Sequence, residues 1–315
     1  MVILMSKLLD NISNSTKKVV ENACYVKINY DVLDKVIEDG RFNKTKYWLE
    51  DNNLGLLDLS SKDIINFLLI YHAIGDYCFW GDPKWTIYDD KQNKLDGSVA
   101  MMYLVLKRYK EKKSFVMSFA SFKEWLKGNV EIPLLKERYN CLLEMNKYLE
   151  RINNDFYYEI NKYLDDSSLL EYIVNNLSYY NDECMYDGKK VYFYKRAQLL
   201  VSDILHVRKL IEKKDVVYKN LIGCADYKIP QVMRSLGILE YNQELSSLVD
   251  NKIPLEYGSK MEVEIRASDL VVLDYIANKL DNKVARMDVN DYIWLLGQDK
   301  NMKMKPYHRT LTIYY

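Results

Sequence analysis

Residues 135–152 read LKERYNCLLEMNKYLERI, and their spacing decides what kind of chain this is. Leu135, Tyr139, Leu142, Met145, Leu149 and Ile152 recur at steps of three and four, with Lys136, Glu137, Glu144 and Lys147 between them. A period of 3.6 places the first set on one face, so the segment predicts a long amphipathic helix with one buried stripe. Pro133 stands where a first-turn proline is tolerated. The same periodicity predicts helices at about 6–23, 61–74, 97–113, 119–127, 192–212, 262–280 and 287–297. Ser60, three residues before Asp63, opens the second of these with the pattern of a capping box. Extended pieces are short: 25–28, 77–80 and 85–88.

Composition points the same way. Among 315 residues there are eleven Gly and five Pro, too few for a turn-rich β-sandwich or barrel. No repeat of 20 to 50 residues and no Gly/Ser/Pro linker divides the chain. The expectation is an all-α protein with a few short strands, one integrated domain over 1–315. The polar stretch 181–190, NDECMYDGKK, is the place where two lobes would divide.

Several functional classes are excluded early. Lys and Arg together number 45 and so do Asp and Glu, so a polyanion would need a local patch. Five scattered cysteines (Cys24, Cys78, Cys141, Cys184, Cys224) contain no C-x-x-C pair, and three distant histidines (His72, His206, His308) show no metal spacing. The apolar start, Met1 to Met5, is too short for a signal-peptide core or a membrane span. Reduced thiols without a targeting segment predict a cytoplasmic protein. The 28 tyrosines are mostly compositional, because 35 Lys against 10 Arg marks an AT-rich coding bias, but some aromatics can form a stacking pocket for a flat ligand.

No Walker loop, G-x-G-x-x-G or G-x-S-x-G is present, so the chemistry left is that of carboxylates, aromatics and arginines. Four segments carry it. Asp76 to Pro83 (DYCFWGDP) sets aromatics between two aspartates; the plainer alternative is a short core strand. Tyr192 to Leu199 (YFYKRAQL) opens a helix carrying Asp203; the alternative is a solvated basic turn. Cys224 to Val232 (CADYKIPQV) places Asp226 before a helix, where an ordinary N-cap competes. Glu262 to Ala267 (EVEIRA) goes with Pro306 to Thr310 (PYHRT), an internal salt bridge to Arg266 being the alternative.

The motifs YCFW, YKRAQLL, ADYKIPQVMRSLGIL, EVEIRA and the terminal PYHRTLTIYY, in this order, resemble the queuosine salvage family. Its members are queuosine 5′-phosphate N-glycosylase/hydrolases. The similarity runs from about Trp48 to Tyr315 and includes IPLLKERYNCL. The resemblance implies a helical architecture related to helix-hairpin-helix DNA glycosylases. It implies hydrolysis of the N-glycosidic bond of queuosine 5′-monophosphate, or of the nucleoside, to release queuine for reuse in tRNA modification. It implies no metal or organic cofactor.

Glycosidic cleavage builds positive charge on the ribose, which a carboxylate near the anomeric carbon stabilises. In the family that role matches the aspartate of the ADY motif, here Asp226. Queuine has no N7 to protonate and carries a cationic amine, so its pocket calls for acids beside aromatic faces. Asp76, Phe79, Trp80, Asp203, Tyr227, Asp288, Asp291 and Trp294 supply these types. Lys195, Arg196, His308 and Arg309 are the motif cations for a 5′-phosphate. The chain departs from the family pattern at Asp76, often Asn; at Asn290, commonly Asp; and after Trp48, where WLEDNN lacks a His-Pro pair. The expected partner is a small molecule, with neither DNA nor membrane, acting on a monomer. The competing function is a non-catalytic helical module that binds queuine or a modified tRNA. A DNA glycosylase is the third, without an evident basic groove.

Overall fold

The stripe read at 135–152 does become a helix, Leu135–Arg151, with Leu135, Tyr139, Leu142 and Met145 buried. Pro133 lies just outside it, ahead of Leu134, which takes φ 58° at the N-cap. The computed structural model describes residues 7–43, 47–51, 54–299 and 301–315. The apolar start, residue 6 of the first helix and Asn52–Asn53 of WLEDNN lie outside these.

In chain order the described elements are α1 (Lys7–Glu21), β1 (Val26–Ile28), α2 (Tyr30–Glu38), α3 (Ser61–Ile74), β2 (Thr86–Tyr88), β3 (Lys94–Asp96), α4 (Gly97–Lys110), α5 (Phe119–Trp125), α6 (Leu135–Arg151), α7 (Phe156–Glu159) and α8 (Asp166–Asn176). They continue with β4 (Glu183–Tyr186), β5 (Lys189–Tyr192), α9 (Lys195–Leu210), α10 (Lys228–Ser235), β6 (Leu239–Tyr241), α11 (Gln243–Asp250), α12 (Lys260–Lys279) and α13 (Arg286–Leu296). The protein is therefore mainly helical, and among the described residues the strands form three two-stranded antiparallel ribbons, β1–β6, β2–β3 and β4–β5. No helix among the described residues is long and apolar enough to cross a membrane.

Two helices are buried on nearly every face, as expected of segments whose hydrophobicity is not confined to one stripe. On α3, every residue from Phe67 to Ile74 is buried, and α4, α6 and α9 pack around it. Ser60 caps its start by accepting the Asp63 amide at 3.1 Å. On α12, Glu262 through Leu270 are all buried, and α1, α10 and α13 pack around it. The apolar side chains of both helices belong to one continuous cluster that runs from Leu9 to Ile293.

One sequence expectation is corrected here. Residues 77–80 are not a strand. The guanidinium of Arg138, fully buried on α6, collects the carbonyls of Ile74, Tyr77 (2.7 Å) and Cys78 (2.8 Å), and Cys78 takes φ 32°. Turned toward one cation, these carbonyls leave YCFW as a corner and not a strand. Residues 181–190, a polar stretch in the sequence, are mostly strand. They contain the turn of the β4–β5 hairpin, in which Asp187 and Gly188 take φ 46° and 74°, the positive values that a two-residue Asp-Gly turn requires.

Candidate active site

The loop after α3, the start of α4, the first half of α9, the segment before α10 and the middle of α13 meet around one cleft. It holds about 740 Å³ of space free of protein atoms, its open mouth included. Its walls are Trp48, Tyr71, Tyr77, Phe79, Tyr227 and Trp294, and its polar groups include His72, Asp76, Lys195, Asp203, Asp226, Asn290 and Asp291. Apolar, aromatic walls with a few converging polar groups are what a flat polar ligand needs.

Asp226 is placed by a clamp on the backbone ahead of it. Gln198 of α9 accepts the amides of Ile222 (2.8 Å) and Gly223 (3.3 Å) and donates to the Gly223 carbonyl (2.8 Å). Asn290 of α13 accepts the Cys224 amide at 3.0 Å, and Arg266 Nε of α12 donates to the Ala225 carbonyl at 3.1 Å. Gly223 has φ 139°, and a Cβ there would meet Leu273 at 2.4 Å, so only glycine lets the segment run this close to α12. The Oδ1 of Asp226 accepts the amides of Lys228 (2.7 Å) and Ile229 (3.0 Å) at the start of α10. Its Oδ2 has no hydrogen bond to the described residues. The N-cap reading of Asp226 therefore holds for one oxygen and leaves the other free of it.

The other acids differ sharply from one another. His72 lies between Asp76, bonded to Nδ1, and Asp203, whose Oδ2 is 2.9 Å from Nε2. Burial raises Asp76, but the charge and hydrogen bond of His72 outweigh it and hold the carboxyl near 2. Asp203 is engaged on both oxygens, since Oδ1 also accepts from Tyr47 OH (2.7 Å) and Trp48 Nε1 (3.0 Å). Burial, with the Asp203 charge adding to it, pushes Asp291 up to about 8, so this acid keeps its proton at neutral pH. Burial likewise raises the Cys224 thiol well above its ordinary value, leaving no thiolate there.

Of the residues proposed from sequence, Asp76, Phe79, Lys195, Asp203, Asp226, Tyr227, Asp291 and Trp294 line this cleft. Trp80 lines a second cavity that shares Phe79, Ser98, Tyr227 and Trp294 with the first. Arg309 stands 5.6 Å over the Trp80 ring, whose Nε1 donates to the Thr310 carbonyl at 3.1 Å.

Three candidates are used elsewhere. Arg196 is buried and donates to the carbonyls of His72, Ala73 (2.9 Å), Tyr179 (3.4 Å) and Ile313 (3.0 Å), tying the end of α3 to the C-terminal segment. The favourable place for a cation at a helix C-terminus explains it. His308 is buried, its Nε2 3.3 Å from Tyr315 OH, and burial with the nearby Arg266 charge draws it down to about 3. A neutral imidazole supplies no charge to a phosphate. Asp288 holds the first turn of α13 through the Ala285 amide (3.4 Å) and lies 3.4 Å from His206 Nε2. Sequence reasoning singled out neither Tyr71 nor His72 and touched Trp48 and Asn290 only at departures from the family pattern; His72 on α3 and Asp76, four residues on in the loop after it, were the one spacing that pointed here.

Comparison with known proteins decides the family. The profile described as queuosine salvage protein matches residues 57–315. The chain belongs to the queuosine salvage protein family. A relative from Sphaerobacter thermophilus, named queuosine 5′-phosphate N-glycosylase/hydrolase, is 30% identical over 96% of each chain. One of the same name from Dictyostelium discoideum is 28% identical over 92% of this chain and 94% of its own. A Bos taurus relative with that name is 34% identical over 59% of this chain and 60% of its own. The family match spans the loop and helix that carry Asp226 and every cleft residue except Trp48.

Proposed function

We propose that this chain hydrolyses the N-glycosidic bond of queuosine 5′-phosphate and releases queuine for salvage. The observation that carries the reading is the Asp226 carboxylate. One oxygen is fixed by two amides, and the other is left for a cleft with aromatic walls. A fixed anion beside the anomeric carbon stabilises the developing oxocarbenium charge without reorganising, and its open oxygen can orient the attacking water. The base stacks among Trp48, Phe79, Tyr227 and Trp294. With no N7 to accept a proton, the departing base depends on these contacts and on the ribose charge for its rate. The helical architecture, with an aspartate ahead of a helix, supports kinship with helix-hairpin-helix DNA glycosylases. The substrate is a small nucleotide rather than DNA, the working unit is a monomer, and five free thiols suit the cytoplasm.

The anionic end of the substrate fits the second cavity. The first turn of α4 (Gly97, Ser98, Val99) lines it, and Asp96 at the N-cap makes no side-chain capping bond. Lys84 and Lys228 lie on the same wall; Lys84 is 3.8 Å from Asp96, while Lys228 Nζ is bonded to Gln231 at 3.2 Å. Replacing Lys228 with Ala is expected to raise KM for queuosine 5′-monophosphate by roughly tenfold, the effect of one charge-assisted bond, and to leave KM for queuosine nearly unchanged. Equal shifts for nucleotide and nucleoside would place the phosphate elsewhere.

Asp291 is the cleft acid suited to the cationic amine of queuine, because it is uncharged until a cation arrives. Its free-protein pKa of about 8 falls when the ammonium binds. Binding at pH 7 therefore releases a proton, and affinity rises from pH 6 to about 8, then levels. Calorimetry of queuine binding in two buffers of different ionisation enthalpy reads this directly. Close to one proton is expected from the wild type and none from Asp291→Asn; no release in the wild type would remove Asp291 from amine recognition.

A further inference from the structure

His72 has no assigned part in the chemistry, yet it stands in the middle of a chain of polar contacts in the cleft. It sits on α3 with no exposed surface. Asp76, one turn onward, meets its Nδ1, and Asp203 of α9 lies 2.9 Å from its Nε2. A neutral imidazole has one donor and one acceptor, so a ring with a carboxylate oxygen at each nitrogen must carry both protons. From Asp203 the chain continues to Tyr47 OH and Trp48 Nε1, both on its other oxygen. Trp48 belongs to a short 3-10 turn, Trp48–Asp51, not to one of the long helices, and it forms part of the cleft wall. Its indole needs an external anchor, and Asp203 is that anchor.

We propose that His72 is a positioning residue: as an imidazolium it fixes Asp203, and through Asp203 it sets the Trp48 ring against which the substrate's base stacks. The inference rests on the nucleotide reading above. It places a cation between two buried carboxylates, Asp76 just after α3 and Asp203 on α9. It also separates the roles of the acids, with Asp226 acting at the sugar and Asp203 shaping the base wall.

The groups around the ring define what its proton responds to. From α3 and the loop after it these are Tyr71 and Asp76; from α9, Asp203, Lys195 and Arg196, whose guanidinium donates to the His72 carbonyl. Tyr47 and Trp48 reach Asp203 from the short turn. Asp291 of α13 faces Asp203, whose charge helps keep it protonated, and Tyr227 ahead of α10 acts on Tyr71, with Asp226 beside it in the cleft. Burial draws His72 down, and the Asp76 charge, reinforced by hydrogen bonds from the ring to both carboxylates, lifts it to about 9. Since the folded value lies above the unfolded one, the imidazolium's contribution is complete below about 6.5 and is lost as pH rises through about 9.

The test measures kcat and KM for queuosine 5′-monophosphate from pH 6 to 10 in wild type, Trp48→Phe, His72→Gln/Asp76→Asn and the triple variant. The second change in the double variant removes a carboxylate that His72→Gln alone would strand in the interior. The double variant is expected to raise KM roughly tenfold, the scale of one base–aromatic stacking contact, with kcat reduced less than threefold. In the Trp48→Phe background the same two changes should add little, because the wall they position is already altered. Wild-type KM should climb as pH passes about 9 and the double variant should lose that limb. An additive effect with Trp48→Phe, or a loss of kcat at constant KM, would overturn the positioning role. If the double variant does not fold, a wild-type KM that stays flat through pH 9 overturns it equally. Wild-type protein that releases no base would instead overturn the nucleotide reading beneath it.

Discussion

Asp226→Asn is expected to keep the fold and lose the chemistry. The asparagine carbonyl can still accept the Lys228 and Ile229 amides that Oδ1 accepts now, at 2.7 and 3.0 Å. The start of α10 therefore stays capped, and the melting temperature should move by no more than about 2 °C. What disappears is the negative charge proposed to face the ribose. Removing a preorganised electrostatic partner of a developing charge costs about 10³-fold in kcat, roughly 4 kcal/mol of barrier. Affinity for queuine should change little, because the stacking walls are intact. Asp226→Ala should lose the same activity and about 1 kcal/mol of stability besides, since it also removes the cap. Base release and thermal melting measured side by side on the two variants separate the functions of the two oxygens. Wild-type turnover in the asparagine variant would move the role to another acid. Asp203 is poorly placed to take it, being engaged by His72, Tyr47 and Trp48.

Arg266→Met should be the most destabilising single change in the neighbourhood. The Arg266 guanidinium is wholly buried and meets Asp182 in a fork, at 3.0 and 2.6 Å, with Glu262 at 3.6 Å. It lies 3.9 Å from the Phe193 ring centroid and 4.3 Å from that of Tyr315. Methionine restores part of the volume and none of the charge, so two carboxylates remain buried without a cation, at a cost of about 3–5 kcal/mol. A drop of about 10 °C in melting temperature is expected. Burial already holds Glu262 above its ordinary pKa against the pull of Arg266. Without Arg266 it rises further, so the deficit should narrow as the melt is taken from pH 8 to pH 5 and the acid regains its proton. Because Arg266 Nε also holds the Ala225 carbonyl, kcat should fall even at temperatures where the variant is folded. A deficit independent of pH would mean that lost packing, and not stranded charge, accounts for the change.

Helical periodicity located α3, α6, α9 and α12, most plainly α6, where the apolar residues at steps of three and four form a single stripe. Two features failed for different reasons. The Asp187-Gly188 turn was written plainly in YDGK but was read as part of a polar boundary. The corner at 77–80 was not readable at all, since its shape depends on Arg138, some sixty residues away in the chain.

The same division holds in the cleft. Asp226, Tyr227, Phe79 and Trp294 come from recognisable motifs and line one space. Arg196 and His308 come from motifs just as recognisable, yet one satisfies helix-end carbonyls and the other sits neutral beside Tyr315. A cation's partners are set by tertiary contacts, which motif residues do not disclose. For the same reason His72 could be paired with Asp76 from spacing, but not with Asp203 on a helix 131 residues away.

The most direct test of the whole account is a time course of base release by the wild-type protein from queuosine 5′-monophosphate near neutral pH, followed by chromatography of free queuine and ribose 5-phosphate. The account predicts multiple turnovers that yield both products in equal amounts, with Asp226→Asn inactive in the parallel reaction. Tight binding of the nucleotide or of queuine without release of either product would contradict it and show the cleft to be a binding site alone.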